Sequence, residues 1–215
     1  MSARLTGASM RRCPRRREAS VIQKFMETLR RAGAEEYVRG LLLCFGAPTI
    51  RNLKAASLIN FRREGEDLRA LWNAHGAEWL EPLGVEWILL NEESLDGGAL
   101  VMIYRRELLA QALSGDAAAG ILRALGYPFS DHLPDVDACL EYLRGRFRTG
   151  CPHEVGLFLD YPPEDVLGFM ERGKTARPLA VGYWKVYGNV RKARRTFRRY
   201  RRAEHDAARS LLCNI

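Results

Sequence analysis

Apolar residues first recur at helical spacing at Val21, Ile22, Phe25 and Leu29, and the pattern stops at Gly33. "EEYVRGLLLCFG" predicts a second helix ending near Gly46, and an antiparallel pairing of the two would bury both stripes. Pro48 and Thr49 break that pattern, after which "ASLINF" reads as a short strand or an extended, mostly buried segment. "EGEDLRALWNAHG" predicts an amphipathic helix with Leu68, Leu71 and Trp72 inward and a stop at Gly76. The strongest β signal is a pair of apolar runs, 85–90 and 99–104, joined through "LDGG" as a hairpin. Three helices follow: "RELLAQALSG", "DAAAGILRALG" with Asp116 as N-cap, and "PDVDACLEYLRGRF" with Pro134 in its first turn.

Towards the C-terminus, "VGLFLDY" is short enough to be strand or helix on periodicity alone, and a short helix is expected. Pro163 opens "PEDVLGFMERG", with Glu164 and Asp165 in the first turn and Gly173 at the end. "AVGYWKVYG" predicts a last strand, with Tyr183, Lys185 and Tyr187 on one face and Trp184 and Val186 on the other. From Asn189 the stripe Val190, Ala193, Phe197, Tyr200, Ala207 and Leu211 marks a long terminal helix. Helices thus outnumber strands around a small, at least partly antiparallel sheet, which is an α+β fold. Residues 1–17 lack apolar periodicity and read as a flexible basic tail; 18–215 read as one domain, with no linker-like stretch to divide it.

Charge adds a second layer. Residues 1–18 hold six arginines against one glutamate, and residues 185–209 hold ten Lys/Arg against two acids, leaving the middle acidic. The basic terminal helix has the charge to contact nucleic acid, but Phe197 and Tyr200 lie on its apolar stripe and are withdrawn from base stacking, so specific nucleic-acid recognition is not expected. No apolar run approaches the roughly 20 residues of a membrane span, and the N-terminus makes a poor secretory signal, so a cytoplasmic protein is expected. Five cysteines, at 13, 44, 139, 151 and 213, are odd in number and show no metal or redox spacing. Cys44 and Cys139 read as buried hydrophobes, whereas Cys151, ahead of Pro152, is expected at a helix start that favours a thiolate.

The candidate chemistry lies in "CPHEVGLFLDYPPEDVLGF" (151–169). Adjacent side chains diverge on helix or strand, so His153 and Glu154 cannot form a dyad; Leu157 stands where a metal motif H-E-x-x-H needs its second histidine. The plain reading gives Glu154 to the helix start and His153 to a backbone carbonyl. The functional one sets Lys185 between two phenols, as a face for a small anionic or aromatic ligand.

"PHEVGLFLDYPPEDVLGFM" followed by "VGYWKVYGNVRKARRTFRRY" resembles a bacterial family catalogued as domain of unknown function 3793, and "APTIRNLKAASLINF" and "ALVMIYRRELL" extend the likeness over most of the chain beyond residue 20. The matching positions are Lys54, His153, Glu154, Gly156, Tyr161, Pro162, Asp165, Trp184, Lys185 and Tyr187. The resemblance implies no activity or cofactor, and its members' anaerobic bacterial setting implies at most a redox or metal-homeostasis context. Asp160 stands where the family pattern has glycine, and Leu179 and Ala180 stand where a cysteine often precedes the Gly-x-Trp segment, which weakens a metal–thiolate role. The sequence therefore points to a ligand-binding or accessory protein, with His153, Glu154, Asp165, Tyr183, Lys185, Tyr187 and Lys54 as the candidate face. The rivals are an enzyme with His153 as general acid/base and Lys185 as anion holder, and a nucleic-acid binder.

Overall fold

The computed structural model describes residues 14–91, 97–130, 133–172 and 177–213. In chain order the helices α1 (Pro14–Leu29), α2 (Ala34–Phe45) and the single turn α3 (Ala47–Ile50) lead into strand β1 (Ala56–Phe61). Helix α4 (Leu68–Leu80) and a 3-10 turn (Glu81–Leu83) precede β2 (Glu86–Leu89) and β3 (Ala99–Tyr104). Then come α5 (Arg106–Ser114), α6 (Asp116–Ala124), the two-residue strands β4 (Phe129–Ser130) and β5 (Leu133–Pro134), and α7 (Val136–Phe147). The chain ends with α8 (Val155–Phe158), α9 (Pro163–Arg172), β6 (Ala180–Val181), β7 (Lys185–Val186) and α10 (Val190–Leu212).

The main sheet has the order β1-β3-β2 and is antiparallel throughout, with Ala56 opposite Tyr104 and Glu86 opposite the same Tyr104. Both of its faces are covered. Period-two alternation sends Ile59, Phe61, Val101, Ile103 and Leu89 into a core built with α1, α2 and α4, where Phe25, Leu42 and Trp72 lie. The opposite parity, Ala56, Met102 and Tyr104, packs on Leu109, Leu122, Leu140 and Phe158 from α5 to α8. Burial on two sides explains why "ALVMIY" is a continuous apolar run. The fold is therefore α+β and helix-rich, with the hairpin β2–β3 as the sequence predicts. Part of the hairpin's connection lies outside the described residues, as do Gly173 and most of the tail 1–17, although α1 already begins at Pro14.

Several sequence expectations are corrected. Gly76 does not end α4, which runs on to Leu80. It sits one turn after Trp72, whose indole occupies the space a β-carbon would need, 2.7 Å away, so this glycine answers packing. Gly115 holds the cap position of α6, and Asp116 is its first residue, with no side-chain cap bond. Pro134 belongs to β5; Asp135 is the N-cap of α7 and accepts from the Ala138 amide at 3.1 Å. Pro48 and Thr49 do not stop the coiling, since they form α3. Helix α1 lies against α10 as well as α2.

The predicted strand 181–187 is a tight hairpin, Ala180 pairing with Val186 and Val181 with Lys185. Gly182 permits the reversal because the Phe197 ring fills the position of its β-carbon. Tyr183 therefore falls in the turn, and Tyr183, Lys185 and Tyr187 do not share one face. The hairpin packs Trp184 and Val186 against Ala193, Phe197 and Tyr200 of α10, whose N-cap Asn189 accepts from the Lys192 amide at 2.9 Å. The buried stripe continues through Ala203, His205 and Ala208, with Ala207 half-buried. Replacing Gly76 by alanine should cost about 1–3 kcal/mol, because the new methyl group meets an indole held between Phe61 and Trp87. Urea unfolding of Gly76→Ala measures it, and an unchanged midpoint would count against this packing.

Candidate functional site

The 151–165 segment is a pair of tight turns. Single-turn helix α8 is followed by Asp160 in the left-handed region, φ 57°, and the Tyr161 amide returns to the Gly156 carbonyl at 2.9 Å. A positive φ strains any residue with a β-carbon, so this corner suits glycine better than the aspartate it holds. Pro162 then offers its carbonyl to the Asp165 and Val166 amides, and Pro163 starts α9. The turn lays Tyr161 on Trp184, with ring centroids 4.7 Å apart.

Two of the predicted ligand-face acids are structural. Asp165 is buried and accepts three hydrogen bonds: Trp184 Nε1 at 2.8 Å and the Tyr187 and Gly188 amides at 2.7 Å. It fastens α9 to the hairpin and to the approach to α10. Glu154 is also buried, ion-paired with Arg146 and accepting from the Tyr127 hydroxyl at 3.0 Å. Burial first, then the nearby carboxylate and that bond, push the Tyr127 phenol far above its usual range. Glu154 thus joins α7 to α8 rather than serving as a simple helix-start charge.

His153 makes no carbonyl hydrogen bond among the described contacts; it is exposed and lies edge-on to Phe169, centroids 4.7 Å apart. Lys185 Nζ stands 5.0 Å from the centre of that same ring, so His153 and Lys185 meet at one hollow of about 220 Å³. Asp165, which also lines it, already spends its oxygens on Trp184 and the two amides. Tyr187 is turned away: its ring packs on Gly168 and its hydroxyl is buried without a partner. Cys151 is exposed and does not begin a helix; partial burial and Glu154 raise its pKa, opposite to the expected thiolate. Cys44 and Cys139 are buried, with thiols pushed up to about 12 and about 11 by desolvation first. Among the described residues no three His, Cys, Asp or Glu side chains gather as a metal set.

A larger cavity, about 540 Å³, lies at the outer edge of β1 between the two helical layers. Its polar end holds Lys54, Tyr183 and Glu204, and its walls include Leu41, Phe45, Leu58 and Leu159. Lys54 is only 6% exposed, and among the described residues no carboxylate lies within salt-bridge distance of it. Its ammonium sits instead 5.4 Å and 5.7 Å from the ring centres of Tyr161 and Tyr200. Burial brings the Lys54 pKa down to about 8, partly opposed by Glu204 and Asp160. Burial likewise raises Glu204 to about 7, opposed by the 2.6 Å hydrogen bond from the Tyr183 hydroxyl and by Lys54.

Of the seven sequence-predicted residues, Lys54 and Tyr183 share the large cavity, while His153, Asp165 and Lys185 share the smaller hollow. Glu204 was hidden by its basic surroundings. Its signal is spacing: Phe197, Tyr200, Glu204 and Ala208 fall at helical intervals, which puts a carboxylate on the buried stripe.

These features define an α+β protein in which a buried lysine stands at the edge of a sheet enclosed by helices. The chain belongs to the family described as protein of unknown function (DUF3793), whose model matches residues 42–214. No curated protein and no solved structure matches it.

Removing the Asp165 carboxylate leaves the buried Trp184 indole N–H and the Tyr187 and Gly188 amides unpaired, so Asp165→Ala should lose about 3 kcal/mol of stability, read by chemical denaturation. For Lys54 the folded pKa is below the unfolded value of 10.5, so the unfolded chain binds more protons between the two and the lysine's cost to folding declines as pH rises from about 8 to 10.5. The stability gain of Lys54→Met over the parent should therefore be largest below pH 8, on the order of 3 kcal/mol, and shrink towards pH 10.5. Glu204, whose folded pKa is raised, contributes stability that is present near pH 4.5 and is lost as pH rises through about 7. Denaturant titrations of the parent, Lys54→Met and Glu204→Gln across pH separate the two limbs.

Proposed function

We propose that this protein binds a small amphiphilic carboxylate in the cavity at the β1 edge, with the anionic group beside Lys54 and the apolar body along Leu41, Phe45, Leu58 and Leu159. The observation that carries the reading is a buried ammonium facing a cavity, with two aromatic rings beside it and, among the described residues, no carboxylate within salt-bridge distance. Burying a charge is costly unless it is paired, and an incoming carboxylate supplies a charge-assisted hydrogen bond where desolvation makes it strong. Glu204, poised near 7, sets the charge of the same end: neutral, it tolerates the anion; ionised, it repels it. Cys44 and Cys139, buried as thiols, suit the reducing cytoplasm, where this reading places the protein.

The predicted pH dependence follows from both groups. Affinity for a carboxylate should fall as pH rises through about 7, where Glu204 ionises, and fall again above about 8, where Lys54 loses its proton. Thermal-shift and calorimetric titrations with octanoate and benzoate, set against octanol and benzyl alcohol, test this. The acids should stabilise the protein and the alcohols should bind at least tenfold more weakly, a difference that Lys54→Met abolishes. Equal binding of acids and alcohols to the parent protein, or no binding of either acid, rejects the reading.

A further inference from the structure

The large cavity borders more than side chains: four consecutive residues of β1, Ser57, Leu58, Ile59 and Asn60, line it. Among the described residues strand β1 is an edge, with β3 its one neighbour in the sheet. The bond from the Arg105 amide to the Ala55 carbonyl, 2.9 Å, fixes which residues face that neighbour. With the register of 56 opposite 104, residues 55, 57, 59 and 61 exchange hydrogen bonds with β3. The bond from the Leu90 amide to the Leu100 carbonyl, 2.8 Å, gives the complementary phase on β3, whose even-numbered residues turn to β2. The amides and carbonyls of Leu58 and Asn60 therefore point away from β3, towards the cavity.

We propose that this edge receives the C-terminal segment of an extended peptide, which adds a fourth strand to the sheet and delivers its terminal carboxylate to Lys54. The proposal rests on the reading of Lys54 as an anion site and specifies what carries the anion. Free backbone groups in a slot favour a backbone as ligand, since a main chain satisfies amide and carbonyl together and a fatty or aromatic acid satisfies neither. The polarity of the slot sets the direction. Ala56 and Lys54 lie at the buried end, and Asn60 is exposed at the other. A peptide entering beside Asn60 with its C-terminus leading runs antiparallel to β1, and about four residues reach from Asn60 to the ammonium at ~3.4 Å per residue. Its side chains alternate between the layer of Leu41 and Phe45 and that of Leu159 and Tyr161, so apolar residues are selected on both sides.

A phage-displayed library of random heptapeptides with free C-termini, panned on the full chain, should enrich sequences ending in an apolar residue. A synthetic copy of an enriched peptide should lose at least tenfold in affinity when its C-terminus is amidated, and again on Lys54→Met. Asn60→Pro removes one outward amide that β3 does not use, a substitution an edge strand tolerates. It should weaken the peptide at least tenfold while leaving octanoate affinity unchanged. If octanoate binds in a Lys54-dependent way but no peptide is enriched, or if enriched peptides ignore amidation and Asn60→Pro, the peptide proposal is overturned and the anion site stands. If neither octanoate nor any peptide binds, both fall.

Discussion

A sheet of three strands whose two faces are both sealed in hydrocarbon still has two edges, and the helices that cover the faces decide what those edges meet. Here alternating residues of β1 and β3 commit one parity to α1, α2 and α4 and the other to α5 through α8, so the helical layers stand apart by the thickness of the sheet. Beside β1 that spacing persists where the sheet has ended. The cavity at Lys54 is thus a product of layer geometry, and the tyrosines and Glu204 that close it come from chain segments far from the strand.

Holding those segments in place falls to a few polar groups, Asp165 and Glu154 buried and Arg105 half-buried. Asp165 ties the start of α9 to the hairpin and to the entry of α10, Glu154 ties α8 to α7, and Arg105 gathers the carbonyls of Ile50, Leu83 and Gly84 at one end of the sheet. Each side chain satisfies several partners, as a buried charge requires. The acidic residues that look most chemical in the 151–169 stretch are consequently fasteners. The buried charge that has no carboxylate within salt-bridge distance among the described residues is the lysine ahead of β1, in a part of the chain with little outward sign of chemistry.

Local rules carried the sequence reading far. Periodicity gave the hairpin, β1 and the course of α10, because each is decided by neighbours within a turn or a strand pair, and left the short α8 open between strand and helix. It failed where a distant side chain intruded: Gly76 looks like a terminator until Trp72 is seen over it, and 181–187 looks like one strand until Phe197 is seen filling the corner at Gly182. The candidate site was legible in part. Lys54 and Tyr183 were named, but for a face that the hairpin divides, and Glu204 was masked by the arginines around it. How far a buried lysine stands from the nearest carboxylate is a property of packing between remote elements, and spacing along one segment does not encode it.

The backbone at Asp160 carries a last implication. Left-handed geometry at this corner suits glycine, yet this chain places a carboxyl group there, and its charge reaches Lys54 and Lys192. Replacing Asp160 by glycine would relax this corner, and the buried amine would lose that anionic support and shed its proton more readily. One residue, set against the grain of the main chain, thus helps the pocket hold on to the proton of its amine.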